Sequence, residues 1–159
     1  MKLRDAVYWA RWHMRQHNIG DWNLVLYLPP SPSAFCCKGA RAIGLSLPFA
    51  LLNDMSALWQ AIKHEIAHSK TREAADHGLE FRDVCYRELG VPTDECIPGE
   101  TLNPAYMTLF KEHVADPVRC GAGERAIDGI CRILAAEAGE RRPGTTGTTD
   151  LRFIDRGTL

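Results

Sequence analysis

Two histidines four residues apart, with a glutamate between them, are the residues of this chain best suited to chemistry. They stand in the pentapeptide His-Glu-Ile-Ala-His at residues 64–68. On a helix, His64 and His68 lie one above the other, so both imidazoles can reach one metal ion. Glu65 stays beside that ion and can hold and deprotonate a water bound to it. With a third ligand, one coordination position stays open, which is what a catalytic zinc site needs.

Two residues compete for the role of third ligand. His77 follows His68 after a polar stretch that is long enough to turn the chain back, and Gly78 then begins a predicted helix over residues 79–89. Glu88 lies at the spacing from which thermolysin-like enzymes supply a glutamate from a second helix. The His-Gly pair at the N-terminus of the predicted helix favours His77, and Glu88 stays open as the alternative. We therefore predict one Zn²⁺ held by His64, His68 and His77.

The helix that carries the pentapeptide is predicted over residues 56–69. Leu58, Ile62 and Ile66 recur at every fourth position and form an apolar stripe. Ser56 is the predicted N-cap. The two histidines fall on a different face from the stripe, so the helix is expected to bury one face and present ligands on another.

The hydrophobic patterns of the rest of the chain predict an α+β fold. An amphipathic helix over residues 2–17 has His13 and His17 on its predicted surface. Alternating apolar residues predict a half-buried strand over 22–28. The remaining predicted elements are a hairpin of 34–38 and 41–47 around Gly39, short helix 48–53, helices 103–115 and 124–138, and a short strand 151–154.

Composition limits the function classes. The 159 residues carry a net charge of −1, and we find no basic run of the kind that marks a nucleic-acid footprint. There is neither an apolar run of membrane-spanning length nor an uncharged apolar N-terminal core, which predicts a cytoplasmic protein.

Cys36 and Cys37 are adjacent on a predicted strand and should point to opposite faces, as reduced thiols rather than disulfide partners.

Taken together, these motifs resemble the SprT-like metallopeptidases, which include the Spartan protease domain. In that family a sequence of the type I-x-L-S precedes the active helix, and H-G-x-x-F or H-G-x-x-W supplies the third zinc ligand. The matching positions here are Ile43, Leu45, Ser46, His64, Glu65, His68, His77, Gly78 and Phe81. The resemblance covers about residues 3–92 and implies a zincin-like fold with an N-terminal helix, a small sheet, the active helix and a second ligand-bearing helix.

The resemblance also implies an activity, zinc-dependent hydrolysis of peptide bonds in a protein or peptide substrate. Some members act on proteins bound or crosslinked to DNA, so DNA association here is implied by the resemblance alone. In the zincins, of which this family is one, a strand beside the active helix often binds the substrate backbone. By resemblance residues 41–47 are the candidate, and an ordinary sheet strand is an equally consistent role for them. Many members carry a zinc ribbon with paired C-x-x-C knuckles, whereas Cys96, Cys120 and Cys131 of this chain are isolated, which puts a second zinc in doubt.

We therefore predict a zinc metalloendopeptidase in which Glu65 is the general base. Residues 1–92 form the predicted catalytic core, and residues 93–159 a partly helical extension packed on it or appended to it. The group that stabilises the oxyanion is left open among Tyr86, Tyr106 and Arg82. The principal alternative is a non-catalytic zinc-binding module in a binding or adaptor protein; a zinc hydrolase acting on something other than peptides is weaker. The sequence indicates no oligomeric state.

Overall fold

The computed structural model describes residues 1–28, 33–72, 77–91, 103–114 and 151–154, together with Arg132 and Ala136. They form a mixed α+β fold. In chain order the elements are α1 (Leu3–Gln16), β1 (Asn23–Tyr27), β2 (Ala34–Cys37), β3 (Ala42–Ser46), α2 (Leu47–Leu52), α3 (Met55–Lys70), α4 (Leu79–Asp83), a π-helical segment (Val84–Glu88), α5 (Pro104–Val114) and β4 (Leu151–Ile154). The predicted elements at these positions are confirmed within a few residues. The predicted helix 124–138 and the three downstream cysteines fall outside the described residues, Arg132 and Ala136 excepted.

The described strands form one sheet in the order β2-β3-β1-β4. β1 pairs in parallel with β3 and with β4, whereas β2 pairs antiparallel with β3. This pairing bears on one prediction. Residues 41–47 were the candidate for a substrate-binding strand, with an ordinary sheet strand as the equal alternative, and the structure favours the alternative because β3 has a partner on each side. Of the four described strands, β2 is the one that forms an edge next to β3, and it packs against α3.

The prediction that β1 is buried on one face only is wrong. Leu24 and Leu26 enter the main core, which also contains the buried faces of α1 and α3. Val25 and Tyr27 point the other way, into a second buried cluster that includes Phe35 from β2. β1 lies between β3 and β4, and a central strand with parallel partners is normally buried on both faces.

Gly44 in the middle of β3 permits a close contact between the two strands of the hairpin. It is the register partner of Phe35, and a Cβ at residue 44 would overlap the Phe35 ring. The ring therefore lies directly over the glycine backbone. A glycine inside a strand often marks this kind of close approach.

The two adjacent cysteines of β2 behave as their alternation predicted. Cys36 packs against the main core and Cys37 lies in the second cluster. Both are free thiols, as is the buried Cys85. Burial, followed by the nearby charge of Glu65, raises the pKa of Cys36 to about 12, so this thiol is expected to stay protonated and weakly reactive.

Helix α1 packs against α3, and this contact overturns the prediction that His13 lies on the surface. Its residue is only 6 % exposed. The imidazole lies edge-on to Trp12 and Trp59, with ring centroids 4.8 and 5.7 Å away, and stacks on His17 at 6.4 Å. Neither ring nitrogen has a hydrogen-bond partner among the described residues. His17 is half-buried.

The part of the chain after residue 92 contributes to the core at two places. The Tyr106 ring of α5 is buried edge-on against Phe49 at a centroid distance of 5.1 Å. The backbone N–H of Asn103 donates to Asn53 Oδ1 at 2.7 Å, and β4 adds the fourth strand. The division into a core and an extension at residue 92 stays a prediction. Within the described ranges, no helix has both the length and the apolar character that a membrane span requires.

Candidate metal centre

Helix α3 has a defined start, a buried stripe and a capped end. Asp54, rather than the predicted Ser56, is the N-cap, and its carboxylate accepts a hydrogen bond from the Ala57 N–H at 2.9 Å. The predicted stripe of Leu58, Ile62 and Ile66 is fully buried. At the other end, the Thr71 hydroxyl donates to the Ala67 carbonyl at 3.1 Å. The helix is therefore fixed along its length, and its ligand face is held relative to the core.

The structure brings the three predicted ligands together. One ring nitrogen from each of His64, His68 and His77 lies within 4.8 Å of the others. The two Nε2 atoms of His64 and His77 are 3.1 Å apart. His64 and His68 are half-buried, whereas His77 is exposed. Among the described histidines, cysteines and acidic residues, this is the set close enough to hold one metal ion.

The Phe81 ring contacts all three imidazoles. Its ring centroid lies 4.9 Å from that of His64, 4.4 Å from His68 and 4.8 Å from His77. The phenyl ring itself is fully buried in the main core. An apolar surface in contact with all three rings restricts the orientations that the imidazoles can take.

Glu88, the alternative third ligand, is engaged elsewhere. It lies at the end of the π-helical segment, and its carboxylate accepts a hydrogen bond from Lys70 Nζ at 2.7 Å. It does not belong to the histidine cluster. The geometry therefore favours His77 over Glu88.

Glu65 is a buried carboxyl group next to the ligands along α3. Its residue is 8 % exposed, and removal from water raises its pKa to about 8. A divalent cation held by the neighbouring histidines would act in the opposite sense, because an opposite charge nearby favours the carboxylate. The same side chain could thus both take up and release a proton near neutral pH.

The three residues left open for oxyanion stabilisation occupy different surroundings. Arg82 Nε donates to the His77 carbonyl oxygen at 3.3 Å. Tyr106 is buried, and burial raises its pKa to about 12 although a hydrogen bond to the Ser33 side chain opposes that shift. Tyr86 is 72 % exposed on the π-helical segment. These placements leave the oxyanion group unassigned.

Two charged residues that were given no role at the site in the sequence analysis, Arg72 and Glu80, lie on either side of the third ligand in the sequence. The Glu80 carboxylate accepts a hydrogen bond from Arg72 Nε at 3.1 Å and a longer one from the Arg72 backbone N–H at 3.4 Å. Their opposite charges on either side of His77 were visible in the sequence. Only the folded chain shows that they meet.

No family model, curated protein or solved structure matches this chain. The resemblance to SprT-like metallopeptidases therefore rests on the motifs of the sequence.

Proposed function

We propose that this chain is a zinc-dependent metallopeptidase of the SprT-like type, with one Zn²⁺ held by His64, His68 and His77. The observation that carries the proposal is the convergence of these three imidazoles, with the buried Glu65 next to His64 in the sequence of α3. Three neutral imidazoles are the donor set of a catalytic rather than a structural zinc site, since a structural site is usually closed by a fourth protein ligand. When bound, zinc supplies Lewis acidity and lowers the pKa of a coordinated water to about 7.

In this proposal Glu65 is the general base. It accepts the proton of the attacking water and later delivers it to the leaving amine. Its buried position supports both steps, because a carboxyl group shielded from water holds a proton more tightly than an exposed one. The three histidines must be neutral at their metal-facing nitrogens in order to bind the metal.

The edge strand β2 is the proposed site for the substrate backbone. An extended peptide can add to the free edge of a sheet through main-chain hydrogen bonds. β2 is antiparallel to β3 and packs against α3, the helix that carries two ligands and the base. This role replaces the one that the sequence assigned to residues 41–47. Action on DNA-bound proteins follows only from the family resemblance and adds nothing to the proposal.

Zinc content and activity of a Glu65→Gln variant test the proposal together. Purified protein should contain about one zinc per chain, because the chain offers one three-histidine set. Glu65→Gln should keep the metal and lose about 10²–10⁴-fold in cleavage of a denatured protein substrate. Glu88→Gln is the matched control, since it changes a glutamate outside the cluster, and it should retain activity.

Three outcomes would contradict parts of this proposal. A protein without zinc would refute the metal centre. Full activity in Glu65→Gln would refute the assigned base. Tight zinc binding without cleavage of any substrate by the unmodified chain would favour the non-catalytic zinc module.

A further inference from the structure

His77 differs from the other two candidate ligands in what supports it. His64 and His68 lie on a helix of 16 residues with a buried stripe. His77 precedes α4, lies outside any helix and is exposed. Its backbone is therefore not held by a regular hydrogen-bond ladder, and something else must keep its ring over Phe81.

The Glu80 carboxylate links the two ends of the connection that carries His77. Arg72 lies directly after the C-cap of α3, and Glu80 lies in the first turn of α4. One carboxylate oxygen accepts from Arg72 Nε at 3.1 Å, and the other accepts from the Arg72 backbone N–H at 3.4 Å. The pair thus joins the residue after α3 to the first turn of α4, and His77 lies between these two residues in the sequence.

A second contact acts on His77 itself. Arg82 Nε donates to the His77 carbonyl oxygen at 3.3 Å. The next turn of α4 continues this attachment, since the Arg82 backbone N–H donates to the Gly78 carbonyl at 3.0 Å. The third ligand is thus tied to α4 through its own peptide group.

We propose that Arg72, Glu80 and Arg82 form a ligand clasp, a set of positioning residues that hold His77 ready to bind the metal. This inference rests on the proposed zinc site. A ligand that is ordered before binding loses less conformational freedom when the ion arrives, so preorganisation raises affinity. The clasp touches neither the ion nor the substrate, and its effect reaches the metal only through His77.

The exposure of the pair sets the size of the effect. The Arg72 side chain is 85 % exposed and that of Glu80 is 37 % exposed. Exposed ion pairs are weak and screened by salt, with coupling that corresponds to about a two- to fivefold change in an equilibrium constant. Loss of the pair should therefore weaken zinc binding by about two- to fivefold, and the difference should shrink as ionic strength rises.

The test compares zinc affinity in three variants by competition with a chromogenic chelator. Arg72→Met and Glu80→Gln each break the clasp, and Arg87→Met is the matched control. Arg87 is similarly exposed and pairs with Asp83 at 2.7 Å, but this pair lies within one helical turn and does not span the His77 connection. Each clasp variant should bind zinc about two- to fivefold more weakly than the control. The double variant should be no weaker than Glu80→Gln alone, because loss of the Glu80 carboxylate already removes the ion pair with Arg72 Nε.

Cobalt substitution supplies a readout that a general loss of stability would not change. The visible absorption of Co²⁺ depends on the number and geometry of its ligands, so a loosened His77 should alter the spectrum in Arg72→Met and leave it unchanged in Arg87→Met. Arg82→Met should shift the spectrum in the same direction. The thermal midpoints of the metal-free proteins should agree with one another.

The outcomes separate this inference from the zinc site itself. If the unmodified protein binds zinc and the clasp variants match Arg87→Met in affinity and cobalt spectrum, the clasp is refuted and the metal centre stands. Additive losses in the double variant would also refute it, since independent effects do not describe one contact. If the unmodified protein binds no zinc, the metal centre fails and the clasp fails with it.

Discussion

Replacing His13 by leucine should stabilise the fold, and the gain should be larger in acid than at neutral pH. His13 is buried between α1 and α3 with no hydrogen-bond partner for either ring nitrogen among the described residues. A buried polar group left unsatisfied costs about 1–3 kcal/mol. Leucine has a similar volume and no polar atom, so it should recover part of this cost at pH 7.5.

The pH dependence follows from the pKa of the imidazole. Burial, followed by the charges of Lys63 and His17, lowers the pKa of His13 from 6.5 to about 4. The folded state therefore keeps the ring neutral while the unfolded state binds a proton below pH 6.5. Stability from this group is fully present above pH 6.5 and is lost as the pH falls towards 4.

The size of the pH effect on stability follows from how far the pKa of His13 is lowered. A pKa lowered from 6.5 to about 4 corresponds to about 3 kcal/mol, since each pKa unit is worth about 1.4 kcal/mol. Solvent at the rim of the contact between α1 and α3 screens part of this energy. We therefore expect the pH-dependent change in the free energy of unfolding to be about 1–2 kcal/mol. The stability advantage of His13→Leu should grow by that amount between pH 7.5 and pH 4.5.

Urea unfolding of the metal-free protein, followed by tryptophan fluorescence, measures both effects. His17→Leu is the comparison variant: burial lowers the pKa of His17 as well, but this residue is less buried, so the gain in acid should be smaller. Taking the difference between each variant and the unmodified protein cancels the titration of groups that do not interact with the replaced histidine. A His13→Leu protein that is less stable at pH 7.5, or whose advantage does not change with pH, would refute the reasoning.

Two further predictions concern the ligand set and the sheet. His77→Ala should weaken zinc binding strongly, because two imidazoles alone hold zinc poorly, whereas Glu88→Ala should leave zinc binding nearly unchanged, because Glu88 pairs with Lys70. Chelator competition measures the zinc affinity of both variants, and the reverse result would assign the ligand role to Glu88. Gly44→Ala should destabilise the protein by about 1–3 kcal/mol in urea unfolding, since the new methyl overlaps the Phe35 ring. The same change in a Phe35→Ala background should cost much less, and an equal cost would exclude the clash as its cause.

Local pattern in the sequence was sufficient to predict the candidate ligands. Two histidines at helical spacing share a face wherever that helix packs, so His64 and His68 could be paired before any tertiary contact was known. Gly78 and the apolar pattern after it indicated a second helix, which gave His77 its place. The hairpin of β2 and β3 was also visible, since its strands are joined by a short turn.

Contacts between distant segments were decided only by the tertiary structure. Alternation along β1 could not reveal that strands on both sides and a second apolar cluster would bury its other face. The strand order β2-β3-β1-β4 places residues 41–47 inside the sheet and β2 at one of the two edges formed by the described strands. The strand order depends on which strands pair, and pairing joins residues far apart in the chain. Periodicity within a single strand therefore does not predict the strand order.

The same distinction applies to single residues. His13 was predicted to lie on the surface because helix periodicity does not reveal how much of a helix face a neighbouring helix covers. In the structure, Trp59 of α3 covers the face of α1 that carries His13. Glu80 and Arg72 were ordinary charged residues until the chain turned back and joined them. The sequence by itself determined which residues could bind a metal. The tertiary structure decided what surrounds and holds them, because burial and contact depend on the whole fold.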